Sequence, residues 1–320
     1  MRRAMMLWCA MTGGAAALAA GIMLGAMQAG ASVSAIAASA ISLLAMALLP
    51  PMFARRFGAW ATVSCAAALV LTMGAMSVAA TQARAGATQG ALPLALAGLA
   101  LLLAARRVGS LNSFESLIRT PLHLAARRFK LALPGGSALI GAALLAGMSS
   151  GMLARFQLFA LCGAQPFSLT PLLVSLCAAI AAGAYLQRLE RRHALLFLFT
   201  LRGALLAALT LDAFAPWSLY AAPAFAVLDA LTLPTLLRSD HANHVAQGSC
   251  PGIAHHLGML AGAALASTSW GFGEGFYALF LGAAVLNFVC ASTQSIRANR
   301  RTEHYVTHHS AATLSGIELH

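Results

Sequence analysis

Apolar residues along this chain neither alternate nor mark one face of each segment. They come in long runs in which most positions are hydrophobic, broken by short stretches that carry the charges. Ten runs can be drawn, at approximately 5–28, 32–54, 59–80, 90–105, 135–160, 168–187, 194–214, 217–237, 251–270 and 272–293. About 20 apolar residues in helical form cross the hydrocarbon core of a bilayer, and lipid accepts a helix that is apolar all round. The pattern predicts an all-α, polytopic membrane protein of about ten transmembrane helices, the fourth of them short.

The connection at 106–134 is the longest. In it Leu111, Phe114, Ile118, Leu122, Ala125 and Phe129 recur at helical spacing beside Arg119, Arg127, Arg128 and Lys130. Pro121 should split it into two short helices, with Thr120 as N-cap. Two readings stay open: an amphipathic helix lying among headgroups, or a cytoplasmic linker packed under the bundle. Either way it divides the chain into a four-span bundle (1–105), the linker (106–134), a six-span bundle (135–296) and a cytoplasmic tail (297–320). The tail holds Arg300, Arg301, His304, His308 and His309, and an unstructured tail is the default expectation.

Composition removes the soluble alternative. The 320 residues are 60% hydrophobic and 9% charged, against about 25% charged in a soluble domain. The net charge of +12 would suit a nucleic-acid binder, but the cations form no basic face with interleaved aromatics. They cluster between the apolar runs. With the N-terminus inside and the spans alternating, all but three of the 20 Lys and Arg fall on the inner side. The three are Arg84, Arg155 and Arg202. The positive-inside rule thus supports an even number of spans with both ends in the cytoplasm, in a cell inner or plasma membrane. The six cysteines are scattered and form no CxxC pair, so they read as small hydrophobes. The N-terminal run is longer than a signal-peptide core and more spans follow it, so cleavage is not expected.

Two turns on the inner side look alike. One reads Pro51-Met52-Phe53-Ala54-Arg55-Arg56-Phe57-Gly58-Ala59, the other Gly183-Ala184-Tyr185-Leu186-Gln187-Arg188-Leu189-Glu190-Arg191-Arg192. Each follows a second span, counted from the N-terminus or from the linker. This resembles the major facilitator superfamily, whose loop after the second helix of each half reads roughly G-x-L-x-D-R-x-G-R-R. Gly183, Arg188, Arg191 and Arg192 match in the second turn, with Gln187 in place of the Asp and Glu190 in place of the later Gly. Arg56 and Gly58 match in the first. The resemblance covers about 135–293 better than the first half, which is two spans short of a standard member. It implies two helical bundles rocking about a central site, a secondary carrier of a small solute, and a gating role for the turn residues. The drug/metabolite transporters, which have ten spans, are the runner-up, but they divide five plus five. An ABC permease subunit and a non-transporting assembly component also remain.

Ionisable residues inside spans are expensive, about 2.5–3.5 kcal/mol each on insertion scales, and so point to function. Arg202 in the seventh span and Asp229 in the eighth lie at matching depths on consecutive antiparallel helices, so they are expected to pair. The pair reads as a proton- or substrate-responsive switch, as a static ion pair, or as an Arg202 that snorkels to the headgroups. Arg155 near an outer end and Glu274 in an outer turn are further transport or coupling candidates, and Asp212 sits at an outer end. Asn287 and Gln28 could bond between helices. Asp240, His241, His244, His255 and His256 have the residue types of a metal site without defined geometry, and no metal is expected. Gly258, Gly262 and Ala266 form a small-residue stripe for close packing or sliding. Pro216, Pro223 and Pro234 mark span eight as a pathway helix. No nucleotide-binding or hydrolase motif is present. The chain is therefore expected to be neither an enzyme nor cofactor-dependent, and its partners are a small solute, protons as coupling ion and membrane lipids.

Overall fold

The structure is a computed structural model that describes residues 2–57, 60–86, 89–108, 133–153, 169–211, 220–238 and 250–314. The amphipathic linker expected at 106–134 therefore lies almost wholly outside the described residues.

Each of the ten apolar runs has its helix. In chain order they are α1 (Arg2–Gln28), α2 (Ala31–Phe57), α3 (Ala61–Arg84), α4 (Ala91–Val108), α5 (Leu133–Met152), α6 (Leu169–Arg188), α7 (Arg191–Ala208), α8 (Ala221–Leu237), α9 (Cys250–Ala266) and α10 (Gly273–Leu314). Five contain segments long and apolar enough to cross a membrane: Ala4–Gln28, Ser32–Ala54, Ala61–Arg84, Thr170–Arg188 and Gly273–Thr293. Shorter apolar helices lie at Ala91–Ala105, Ala138–Met152 and Pro223–Leu237.

The outer surface fits a bilayer. Leu92, Leu96, Leu99 and Leu103 of α4 are exposed along one face, as are Ile253, Leu257 and Leu260 of α9 and Leu281, Val285 and Val289 of α10. Water would penalise such stripes, whereas lipid does not. Exposed Trp60 and Tyr185 lie at one end of an alternating bundle, and Tyr220, Trp270 and Tyr277 at the other. Amphipathic rings favour those two interfaces. The chain is a membrane-embedded helical protein.

Two differences from the sequence expectation have simple causes. The tail expected to be unstructured continues α10 as one helix of 42 residues. Between Ala283 and Leu314 there is no Gly or Pro to stop it. The ninth span ends at Ala266 instead of near 270, because a 3₁₀ turn at Ser269–Gly271 and Gly273, at φ 57°, redirect the chain into α10.

Small residues let two helix pairs pack backbone to backbone. α1 and α4 run antiparallel, with a Cβ built on Gly21 falling 2.4 Å from the Ala95 nitrogen and one on Gly98 2.3 Å from the Leu18 nitrogen. α5 and α9 run parallel. A Cβ on Gly147 would lie 1.8 Å from the His255 carbonyl oxygen and one on Gly151 2.0 Å from that of Met259. From the other side, Gly258 and Gly262 meet the carbonyls of Leu144 and Met148, each at 2.1 Å. The stripe read from the sequence is thus half of a reciprocal pair. α8 lies among α2, α3, α5, α6, α7 and α9, so whatever it carries is surrounded by protein.

Candidate functional site

Asp229 stands at the midpoint of α8, eight residues from Ala221 and eight from Leu237. Arg202 lies on α7, the preceding helix. Arg202 Nη2 donates to Asp229 Oδ1 at 2.8 Å, and the two residues are 0% and 1% exposed. The sequence expectation of a pair holds, and that degree of burial rules out an Arg202 that snorkels to headgroups.

The pair is part of a larger cluster. From α5, Ser150 Oγ donates to Asp229 Oδ1 at 2.7 Å and accepts from Arg202 Nη1 at 2.6 Å. Arg202 Nη1 also donates to the Ala146 carbonyl at 3.0 Å, and Nη2 reaches Thr232 Oγ1 at 3.4 Å. From α9, His255 Nε2 lies 3.0 Å from Asp229 Oδ1. The Phe225 ring centroid is 5.3 Å from the guanidinium carbon, a cation–π contact that matches Arg202 with an apolar neighbour. One carboxylate oxygen thus meets groups from three other helices. Two buried nitrogens, Arg202 Nε and His255 Nδ1, have no hydrogen-bond partner.

Chain neighbours extend the polar path sideways. Ser149, beside Ser150, accepts from Asn287 Nδ2 of α10 at 2.8 Å. His256, beside His255, has Nε2 3.0 Å from Ser39 Oγ of α2. Asn287 therefore bonds between helices as its type suggested. His255 and His256 correct the sequence reading, which placed them in a cytoplasmic group with Asp240, His241 and His244. Both are buried within α9; the other three residues lie outside the described residues. Among the described residues no group of three or more His, Cys, Asp or Glu is placed to hold a metal.

Ser150, Thr232 and His255 were not assigned to the site from sequence. For His255 a signal existed. It lies three residues before Gly258 and seven before Gly262, on the face that the small-residue stripe turns inward.

The other candidates lie elsewhere. Arg155 and Gly58 are outside the described residues, as is Asp212. Glu274 is exposed in the first turn of α10, in an open surface hollow lined also by Phe272, Phe276 and Tyr277. It does not join the buried cluster, because it lies in the first turn of α10, about 20 Å along the helix before Asn287. Arg56 is half-buried near the end of α2.

The Gly183–Arg192 turn joins α6 to α7. Gly183 packs on α3, where an added Cβ would lie 3.2 Å from Val63 Cα. Arg188 is exposed in the last turn of α6, and Arg191 opens α7. Glu190 lies 3.6 Å from Arg192 Nε and 3.6 Å from His193 Nδ1 at the surface, a geometry worth little in water. The cation that closes the turn comes from the end of α8. Arg238 Nη1 donates to the Leu186 carbonyl at 3.2 Å, and Nη2 donates to that of Leu189. A cation there also meets the negative end of the α6 dipole. Arg238→Gln should lower stability by about 1–3 kcal/mol, read as a drop in thermal midpoint in detergent. Arg188→Gln, with an exposed side chain, should change it by less than about 0.5 kcal/mol. Equal effects would dismiss the Arg238 contact as energetically empty.

No family model matches the sequence, and no curated protein matches it.

Proposed function

We propose that this chain is a secondary active carrier of the major facilitator type. In this reading it has ten spans, four before the linker and six after, both ends lie in the cytoplasm, and it moves a small solute by alternating access linked to protons. The observation that carries the proposal is the buried Arg202–Asp229–His255–Ser150 cluster. Ionisable groups at mid-depth in a membrane protein are retained at a cost and mark ion or substrate pathways. Here the cluster also joins four helices, so a change of charge at one atom alters the packing of all four. Asp229 as carboxylate holds Arg202 and His255 together. A proton on Asp229 would leave Arg202 without its counter-charge, and the cost of that lone charge favours another arrangement of the helices. His255 Nε2, 3.0 Å from the same oxygen, ties α9 to that change of charge. Pro234, which removes one backbone hydrogen bond five residues on, makes α8 a suitable element to bend.

Purified protein in proteoliposomes tests this. A solute panel should show uptake or efflux that follows an imposed pH gradient and stops when a protonophore is added. Transport that needed ATP and ignored the gradient would replace the proposal with an ABC-type permease subunit.

A second reading, a non-transporting membrane component, is favoured by one observation: the cluster is sealed, with Arg202 and His255 both 0% exposed. Ala146→Cys, in a background with the six native cysteines replaced, separates the two. A carrier exposes this position to a membrane-impermeant maleimide in at least one state. A solid component never does.

A further inference from the structure

The carrier reading leaves the solute open, and the charge balance of the cluster narrows it. The charged or titratable side chains buried in the described bundle, cysteines aside, are Arg202, Asp229, His255 and His256. Facing them from the packed helices are the neutral groups Ser149 and Ser150 of α5, Thr232 of α8, Asn287 of α10 and, against His256, Ser39 of α2. One carboxylate therefore stands against one permanent guanidinium and two imidazoles. With both imidazoles neutral the cluster sums to zero. Any proton that enters, on Asp229 or on His255, makes it +1, and among the described residues no second buried carboxylate offsets that charge. A net charge in a sealed interior is strongly unfavourable.

The guanidinium also has an unused edge. Nε and Nη2 form the side of the arginine fork that grips both oxygens of a carboxylate in parallel. Nη2 is held by Asp229 Oδ1 at 2.8 Å, whereas Nε is fully buried and has no acceptor. Asp229 thus occupies a two-point site through one point.

We infer, building on the carrier reading, that the solute is a small monocarboxylate taken up with one proton. The proton neutralises the acid that holds Arg202. The solute carboxylate then takes the Nε–Nη2 edge, bonding to both nitrogens. The buried charge returns to zero, so the proton and anion move together and the cycle is electroneutral. No covalent step is involved. The proton comes from water on one side and leaves on the other when the anion departs and Asp229 recovers Arg202.

The test uses purified full-length protein in detergent. The probes are acetate, lactate, pyruvate and benzoate, with methylammonium and glycerol as cationic and neutral controls. Thermal-shift titrations between pH 5.5 and 8 should show stabilisation by at least one carboxylate and by neither control. Its affinity should fall about tenfold per pH unit, the slope of one linked proton. A pH-indicator dye in weak buffer should register about one proton taken up per anion bound, as the same linkage requires. Asp229→Asn imitates the protonated acid, so it should bind the same carboxylate with affinity that no longer depends on pH. Arg202→Gln should not bind it. If Asp229→Asn does not fold without ligand, the proton count on the wild type decides alone. Binding of no carboxylate, binding without proton uptake, or stabilisation by a control instead would overturn the inference. Gradient-driven transport of a neutral or cationic solute would overturn it and leave the carrier reading standing. Proton-linked carboxylate binding without transport in vesicles would do the reverse.

Discussion

Asp229→Asn is expected to cost about 3–5 kcal/mol of stability, the usual penalty for removing one partner of a buried ion pair. The loss falls on Arg202, whose charge is fully enclosed and whose strongest acceptor is Asp229 Oδ1. Adding Arg202→Gln should recover most of that loss, to within about 1–2 kcal/mol of the wild type, because a neutral amide pair in the same place carries no orphan charge. Unfolding followed by the fluorescence of the four tryptophans measures both. If the double variant is no more stable than the single one, the pair does not explain the penalty. The double variant also separates structure from coupling: it should fold, and in vesicles it should no longer respond to a pH gradient. Gradient-driven transport by the double variant would remove Asp229 from the proton path.

The second large effect is steric. Gly147→Leu should abolish the folded protein, because the nearest atoms to an added Cβ are the backbone oxygen, carbon and Cα of His255, at 1.8, 2.7 and 3.0 Å. Flexible side chains can yield to an intruding methyl, but helix backbone cannot, so the cost should exceed the roughly 1–3 kcal/mol of ordinary overpacking. Gly141→Leu, on the same helix with nothing within 4 Å of its added Cβ, is the control and should behave like the wild type. Size-exclusion profiles of detergent extracts show the difference, and similar profiles for both variants would reject the close α5–α9 seam.

The contrast between these sites shows what a sequence like this one discloses. Helix positions were legible because an apolar run has a length fixed by bilayer thickness. The Arg202–Asp229 pair was legible because consecutive helices must be antiparallel neighbours across a short turn, which reduces the question to depth. Ser150 and His255 were not, since α5 and α9 are distant in sequence and their contact depends on which faces meet. The Gly183–Arg192 turn was read through its own arginines, while the bonds that close it come from Arg238, one helix further on. Glu274 was singled out for its charge alone, and charge at an exposed turn has water for a partner.

The meshed glycines of α5 and α9 also limit how this protein can move. Each carbonyl sits in the notch left by a missing side chain, so neither helix can slip along the other except by a whole repeat of four residues, about 6 Å. A smaller shift would drive backbone into backbone. Ser150 rides on one of these helices and His255 on the other, so those two groups travel as parts of a single rigid jaw. Arg202 and Asp229 sit on separate helices that carry no such teeth against it. If the cluster opens, it must open by α7 or α8 pulling away from a jaw that keeps its shape, and strain introduced into α8 will be felt at Asp229 before it is felt at His255.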